Sequence, residues 1–295
     1  MSSQIKVCLL YLPGAWNDVW MEALRSAALA AEWDFLDACG PTSAVRADAN
    51  TLIVSFDLNA ARLLEPDHWC ILHASPESVL SYLTDIRGQA QTELQNLWEA
   101  SHRLAAAAQV SALPATVLNA ECDVIDVPYL GEVKRGAEIT RASFAGEGAK
   151  VLNIYRSLPI PVGAKFFIPV EMWVAGDGKL PSHDWIDLTG RGRLVFGLSP
   201  FDMPAGAWRA EILFSLEIEG TALPLRWEWG GVGDRTAGVF RGEKSGRYSF
   251  SIDHYLERAS TTTGQLLLSY PVFQGRMRLD GVVVIKLESM QSVRT

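Results

Sequence analysis

The chain has 295 residues, of which 48% are hydrophobic and 20% are charged, and its formal net charge is -8 at pH 7. A chain of this length and composition buries one large or two ordinary cores, so disorder is not expected. The net negative charge argues against a general nucleic-acid-binding protein, because neutralising phosphates requires a basic surface.

The first residues contain one lysine and a short apolar stretch that ends at Pro13-Gly14. They lack the basic head and the longer apolar run of a signal peptide. No later segment reaches the roughly 20 apolar residues needed to span a bilayer. We therefore expect a cytoplasmic protein with no membrane span.

The first half alternates short apolar runs with helical patterns, which is typical of βαβ units around a mostly parallel sheet. Residues 1–135 are therefore predicted to form an open, Rossmann-like α/β domain. The expected strands are Ile5–Leu12, Asp34–Ala38, Thr51–Phe56, Trp69–His73 and Ala115–Asn119, and the expected helices run from Asn17 or Asp18 to about Trp33 and from Pro76 to about Gln109.

Nucleotide-binding motifs are missing from this predicted domain. The turn after the first strand has one glycine, Gly14, instead of the spaced set that lets backbone N–H groups approach phosphate, and there is no phosphate-loop Gly-Lys-Ser or Gly-Lys-Thr. We expect no cofactor. Ligands of such sheets bind beyond the carboxyl ends of the strands, where Asp57 and His73 are candidate catalytic residues because both side chains can transfer protons.

From about residue 150 the pattern changes to short strands separated by glycine, proline and aspartate turns. Such spacing predicts an antiparallel β-sandwich or jelly roll over residues 150–295, joined to the first domain by a linker at 136–149. The net charge of the two halves also differs. Residues 1–135 hold 8 basic and 17 acidic side chains, whereas residues 136–295 hold 18 basic and 17 acidic side chains. The expected strands are Lys165–Val174, Trp185–Leu188, Arg193–Leu198, Trp208–Glu219, Pro224–Trp229, Ala237–Arg241, Gly246–His254, Gln265–Tyr270 and Asp280–Leu287.

The segment from Asp184 to Arg209 carries the one family resemblance. It reads DWIDLTGRGRLVFGLSPFDMPAGAWR, and Gly246-Arg247-Tyr248 and Asp280-Gly281 follow it. The pattern resembles a β-sandwich module of bacterial surface-polysaccharide proteins, including glycosyltransferase-associated ones. It departs from that pattern where Leu198-Ser199 separates Gly197 from the following proline.

A sandwich that binds sugar needs an aromatic platform beside a few hydrogen-bonding groups, since pyranose faces carry C–H groups and their edges carry hydroxyls. Tryptophans in strands are also frequent core residues, and arginine beside aspartate is often a structural pair, so both interpretations stay open. The candidate ligand-binding residues are Trp185, Asp187, Arg191, Arg193, Trp208, Trp227 and Trp229.

Three functions follow from these patterns. The first is a non-catalytic or accessory protein of bacterial polysaccharide biosynthesis, whose sandwich binds a carbohydrate or a partner protein. The second is a glycosyltransferase whose α/β domain holds a sugar nucleotide, although the missing glycine-rich loop and Asp-X-Asp motif count against it. The third is a structural protein that self-assembles into homo-oligomers through exposed strand edges.

Overall fold

A computed structural model describes residues 4–38, 49–87, 92–136, 147–176, 184–219 and 222–288. The chain forms two compact units. The first comprises Met1–Gln91 and Arg103–Ala145, and the second comprises Thr92–His102 and Gly146–Thr295. The predicted linker at 136–149 lies mostly outside the described residues, so that boundary stays a prediction.

The first unit is built on a five-stranded sheet in which every pair of neighbours is parallel. The strand order is β2-β3-β1-β4-β5, so β1 lies in the centre. Central strands are covered on both faces, and this explains why β1 and β3 are nearly continuous apolar runs. The five strands are β1 Lys6–Tyr11, β2 Asp34–Asp37, β3 Thr51–Ser55, β4 His68–His73 and β5 Ala115–Asn119.

In the described part of the chain, four α-helices lie between consecutive strands of this sheet. The predicted first helix is present, and it buries Trp20, Leu24 and Ala28 on one face. The helical pattern expected from Pro76 to about Gln109, with a possible interruption at Gly88, forms two helices, and residues 88–91 between them lie outside the described part. The bounds are α1 Asn17–Ala30, α2 Leu58–Arg62, α3 Pro76–Arg87 and α4 Glu93–Ser111.

A two-stranded hairpin follows β5 in the first unit. Its strands are β6 Val124–Val127 and β7 Gly131–Lys134, paired antiparallel. Both strands lie within residues 1–135 and were not among the strands expected there. Ile125, Val127 and Val133 are buried, so the hairpin alternates apolar and polar residues as a half-buried strand pair does.

Two antiparallel sheets face each other in the second unit. The first sheet has the order β10-β18-β13-β16, with β8 also paired to β18, and the second has the order β15-β14-β17-β11-β9, with β12 also paired to β17. The strands are β8 Lys165–Ile168, β9 Trp173–Ala175, β10 Ile186–Asp187, β11 Arg193–Leu198, β12 Phe201–Met203, β13 Gly206–Glu217, β14 Leu223–Gly231, β15 Asp234–Gly242, β16 Gly246–Leu256, β17 Ser260–Leu268 and β18 Arg276–Lys286.

These observations confirm the predicted fold class, an α/β unit followed by an antiparallel β-sandwich. Within the sandwich, the expected long strand Lys165–Val174 is divided into β8 and β9 by a 3-10 turn at Val170–Met172. A proline at 169 explains the division, since it lacks the N–H that a continuing ladder needs. In the part of the chain that the structure describes, no helix is long and apolar enough to cross a membrane.

Tryptophans fill the space between the two sheets. Trp208 is 0% exposed, Trp227 1% and Trp229 3%. Trp227 contacts Phe214 of the opposite sheet at 5.8 Å between ring centroids and Trp173 at 6.1 Å. A ring covered in this way offers no face to a ligand, so we no longer treat Trp208, Trp227 and Trp229 as ligand-binding candidates and assign them to the core.

We predict that Trp227→Ala lowers the free energy of unfolding by about 3–5 kcal/mol, because it leaves a large cavity between the sheets. Denaturant unfolding followed by circular dichroism measures this change. Phe273→Ala is the control, since Phe273 is 92% exposed and its truncation should change stability by less than about 0.5 kcal/mol. Equal effects of the two substitutions would contradict the assignment of Trp227 to the core.

One buried imidazole lies between the sheets. His254 on β16 is 5% exposed. Its Nδ1 lies 3.0 Å from Thr236 Oγ1 on β15, and its Nε2 has no hydrogen-bond partner among the described residues. Burial lowers the pKa of His254 below its usual 6.5, against a smaller opposing effect of Asp234. The folded protein therefore favours the neutral ring.

This lowered pKa makes stability depend on pH. Below pH 6.5 the unfolded chain takes up the proton first, so stability should fall as the pH drops from 6.5 towards the lowered pKa of the folded ring. His254→Gln removes this titration. Unfolding curves at about pH 7 and about pH 5 should therefore show the wild type losing stability relative to the variant in acid. A stability difference that stays constant across this range would refute the linkage.

Candidate functional site

Two loop segments, 184–193 and 269–276, meet at one end of the sandwich, which we call the loop end. Gly190 and Val272 exchange two backbone hydrogen bonds of 2.8 Å. The Leu188 N–H donates to the Gly275 carbonyl oxygen at 2.8 Å. Main-chain hydrogen bonds therefore hold the two segments together, which leaves their side chains available for other contacts.

Three aromatic side chains at the loop end reach solvent, and we call them the aromatic rim: Trp185, Tyr270 and Phe273. Phe273 is 92% exposed and Tyr270 66% exposed. Trp185 is partly exposed, and the Arg278 guanidinium lies 5.6 Å from its ring centroid. Exposed aromatic rings on adjoining segments make this surface a candidate for binding another molecule.

A polar cleft of about 290 Å³ adjoins this rim. Gln274, which follows Phe273 in the chain, donates from Nε2 to Glu219 Oε2 at 2.9 Å. Arg276 donates from Nη2 to Glu217 Oε2 at 2.5 Å. The volume is close to the lower end of small-ligand pockets, about 300 Å³. Its lining residues are Glu217, Ile218, Glu219, Ser245, Gln274, Gly275 and Arg276.

Asp187 connects the aromatic rim with the cleft. It lies opposite Arg276 in the pairing of β10 with β18, and its Oδ1 accepts a hydrogen bond from the Thr189 N–H at 2.8 Å. Hydrogen bonds from Thr189 lower the pKa of the Asp187 carboxyl, with smaller contributions from Arg193 and Arg276. The carboxylate is therefore ionised at neutral pH and exposed on the surface.

The two predicted arginines differ in what they contact. Arg193 donates from Nη2 to the Asp187 carbonyl oxygen at 2.7 Å and from Nη1 to the Thr189 carbonyl oxygen at 3.1 Å. It therefore positions the turn that carries Asp187. Arg191 is exposed within the same turn.

The structure thus brings together four of the predicted ligand-binding residues, Trp185, Asp187, Arg191 and Arg193. Sequence reasoning missed Tyr270 and Phe273. The signal that would have found them is the segment Ser269-Tyr-Pro-Val-Phe-Gln-Gly275, in which two aromatic residues stand in a proline- and glycine-containing turn and not in a strand.

The predicted catalytic residues of the first unit have different surroundings. Asp57 caps α2, accepting hydrogen bonds from the N–H groups of Asn59 at 2.8 Å and Ala60 at 3.3 Å. His73 is partly buried at the end of β4, and its carbonyl oxygen accepts from the Ala120 N–H at 2.8 Å. Capping gives Asp57 a structural role, while catalysis by Asp57 and His73 stays a prediction.

The turn after β1 is filled by a side chain. Trp16 is 3% exposed, and a Cβ added at Gly14 would lie 2.3 Å from the Trp16 ring. The indole thus covers the backbone at the position where a dinucleotide site would have glycines facing phosphate. This arrangement agrees with the missing nucleotide motifs.

Another exposed ring lies on the outer face of the β10-β18-β13-β16 sheet. Phe167 of β8 is 37% exposed and pairs with Val283 in β18. Its ring covers Gly281, where an added Cβ would lie 2.3 Å from the ring and where φ is +127°. Glycine at 281 therefore allows both the backbone conformation and the position of the ring.

No family model matches the sequence, and no curated protein matches it. Similar solved structures include the CBM22-1 xylan-binding domain of Xyn10C from Paenibacillus barcinonensis, with 12% identity, a TM-score of 0.30 and coverage of 43% of this chain and 97% of that domain. Another is the CBM36-1 domain of a multidomain xylanase from the hindgut metagenome of Trinervitermes trinervoides, with 11% identity, a TM-score of 0.31 and coverage of 42% and 99%.

A viral structure is also similar. A triple-jelly-roll turret protein of an archaeal virus has 10% identity and a TM-score of 0.26, with coverage of 43% of this chain and 29% of that one. The likeness to all three concerns the sandwich architecture, which the strand order above already establishes.

We predict that Gly281→Ala destabilises the sandwich by about 1–3 kcal/mol through the clash with Phe167, in addition to about 1–2 kcal/mol for the backbone conformation. Gly233→Ala is the matched control, since φ is +87° there and no atom lies within 4 Å of an added Cβ. Introducing Gly281→Ala into Phe167→Ala should cost less than introducing it into the wild type, because the clash with the ring is absent and only the backbone conformation and the Ile168 carbonyl oxygen, 3.3 Å from the added Cβ, still oppose it. Thermal or denaturant unfolding measures these differences, and an undiminished cost in the double variant would contradict the contact.

Proposed function

We propose that the second unit binds a carbohydrate at its loop end, through the aromatic rim and the polar cleft. The observation that carries the proposal is the position of Phe273, which is 92% exposed and directly precedes Gln274 in the wall of the cleft. An exposed ring and a hydrogen-bonding wall are thus presented side by side.

The chemistry of the two surfaces is complementary to that of a sugar. Rings such as Trp185 and Phe273 pack against the C–H face of a pyranose, since both surfaces are apolar and flat. The oxygens of Glu217 and Glu219 accept hydrogen bonds from hydroxyl groups, and Gln274 and Arg276 donate to them. The cleft volume of about 290 Å³ accommodates a single sugar unit together with its hydrogen bonds.

Asp187 and Arg191 extend this polar surface beyond the cleft, and Arg193 supports it by fixing the turn. We further propose that this binding serves polysaccharide biosynthesis in the bacterial cytoplasm, as the resemblance of residues 184–209 implies. That role, the glycosyltransferase alternative and self-assembly stay predictions.

Titration calorimetry of the full chain against a panel of neutral and acidic mono- to hexasaccharides tests the proposal. We expect saturable binding by at least one series. Trp185→Ala and Phe273→Ala should each weaken it about tenfold, because an aromatic contact at the centre of a site contributes on the order of 1.4 kcal/mol.

Tyr255→Ala is the matched control. Tyr255 is 46% exposed and belongs to the same sandwich, but it pairs with Ala207 near the end of β16 that is farther from the cleft. Its truncation should leave the dissociation constant unchanged. The proposal fails if no saccharide binds, or if Trp185→Ala and Phe273→Ala bind as tightly as Tyr255→Ala does.

A further inference from the structure

Two exposed rings lie on the same edge of β18. Strands β10 and β8 both pair with β18, β10 at Arg276 and Met277 and β8 between Val282 and Ile285. Trp185 precedes β10, and Phe167 lies within β8. The two rings therefore follow one another along the direction of β18.

Both rings also face outwards. Residues of a strand alternate between the two faces of a sheet. Phe167 is 37% exposed, while its neighbours Phe166 and Ile168 are 4% and 0% exposed. Trp185 contacts the Arg278 side chain, and Arg278 pairs with Ser215 across the sheet. The rings thus share the outer face of one sheet.

The spacing of the rings follows from the register. Trp185 lies beside Arg278, and Phe167 lies beside Val283. These two β18 residues are five positions apart with a β-bulge between them, and their partners in β13, Ser215 and Glu211, are four positions apart. The separation is therefore roughly 13–16 Å at about 3.3 Å per residue. A single sugar ring is too short to contact both aromatic side chains.

Hydrogen-bonding groups occupy the surface between the rings. Asp280 accepts from Arg278 Nε at 2.9 Å and from Ser215 Oγ at 3.1 Å. The side chains of Asp280 and Arg278 are each 31% exposed. The surface therefore continues the alternation of an aromatic ring with polar groups that starts at the aromatic rim.

We propose that the ligand is a linear oligosaccharide that runs along β18 from the loop end to Phe167, and not a single terminal sugar. This inference rests on the proposed function and defines its substrate class. Phe167 forms the distal contact and Trp185 forms the proximal one. The exposed side chains of Arg278 and Asp280 contact the sugar hydroxyls between them, while the buried Ser215 orients Asp280.

The test is the dependence of affinity on chain length, measured by titration calorimetry with a series of mono- to hexasaccharides of whichever linkage the full chain binds. Affinity should rise with length until the ligand spans both rings and then level off. Phe167→Ala should weaken the long members about tenfold and leave the monosaccharide unaffected, whereas Trp185→Ala should weaken all members. Phe167→Trp should retain the length dependence.

Tyr255→Ala again serves as the control and should leave the affinity for both the shortest and the longest saccharides unchanged. Affinity independent of length would overturn the extended site while leaving the proposed function intact. The extended site is also overturned if Phe167→Ala weakens the binding of every saccharide equally or weakens the binding of none. If the wild type binds no saccharide, the proposed function and the extended site are both wrong.

Discussion

The contact between Phe214 and Trp227 joins the two sheets of the sandwich, and it sets which face of β13 and which face of β14 point inwards. The ring centroids are 5.8 Å apart, and each ring comes from a different sheet. Burying two large rings stabilises the sandwich and fixes which face of each strand points inwards. The residues on the alternate positions of β13, β18 and β8 are then presented on the outer face.

Strand alternation explains both the success and the failure of the sequence-based assignments. The change from helical to two-residue periodicity near residue 150 was sufficient to predict an α/β unit followed by a sandwich. Trp185 and Trp227 looked equivalent in the sequence because each stands in a strand of alternating character. Only the pairing of strands distant in sequence, such as β10 with β18, shows that one ring reaches solvent while the other is buried between the sheets.

The cleft could not be predicted for a similar reason. Its acidic wall comes from the end of β13, and its amide and guanidinium groups come from the start of β18, more than fifty residues later. Tyr270 and Phe273 belong to a turn whose conformation depends on the hydrogen bonds between Gly190 and Val272. Local periodicity carries no information about a turn held by a distant backbone segment. In the first unit, by contrast, Asp57 lies two residues after the end of β3 and directly before α2, and its capping role depends on nearby residues alone.

The hydrogen bonds between Gly190 and Val272 involve main-chain atoms only. Substitutions at the neighbouring positions Arg191, Tyr270 and Phe273 therefore leave the scaffold of the loop end in place, because none of these side chains is needed to hold the two segments together. Recognition and folding are separable at this end of the sandwich. The same framework can thus acquire a new ligand preference through a few surface changes, which makes it a suitable starting point for engineering binding specificity.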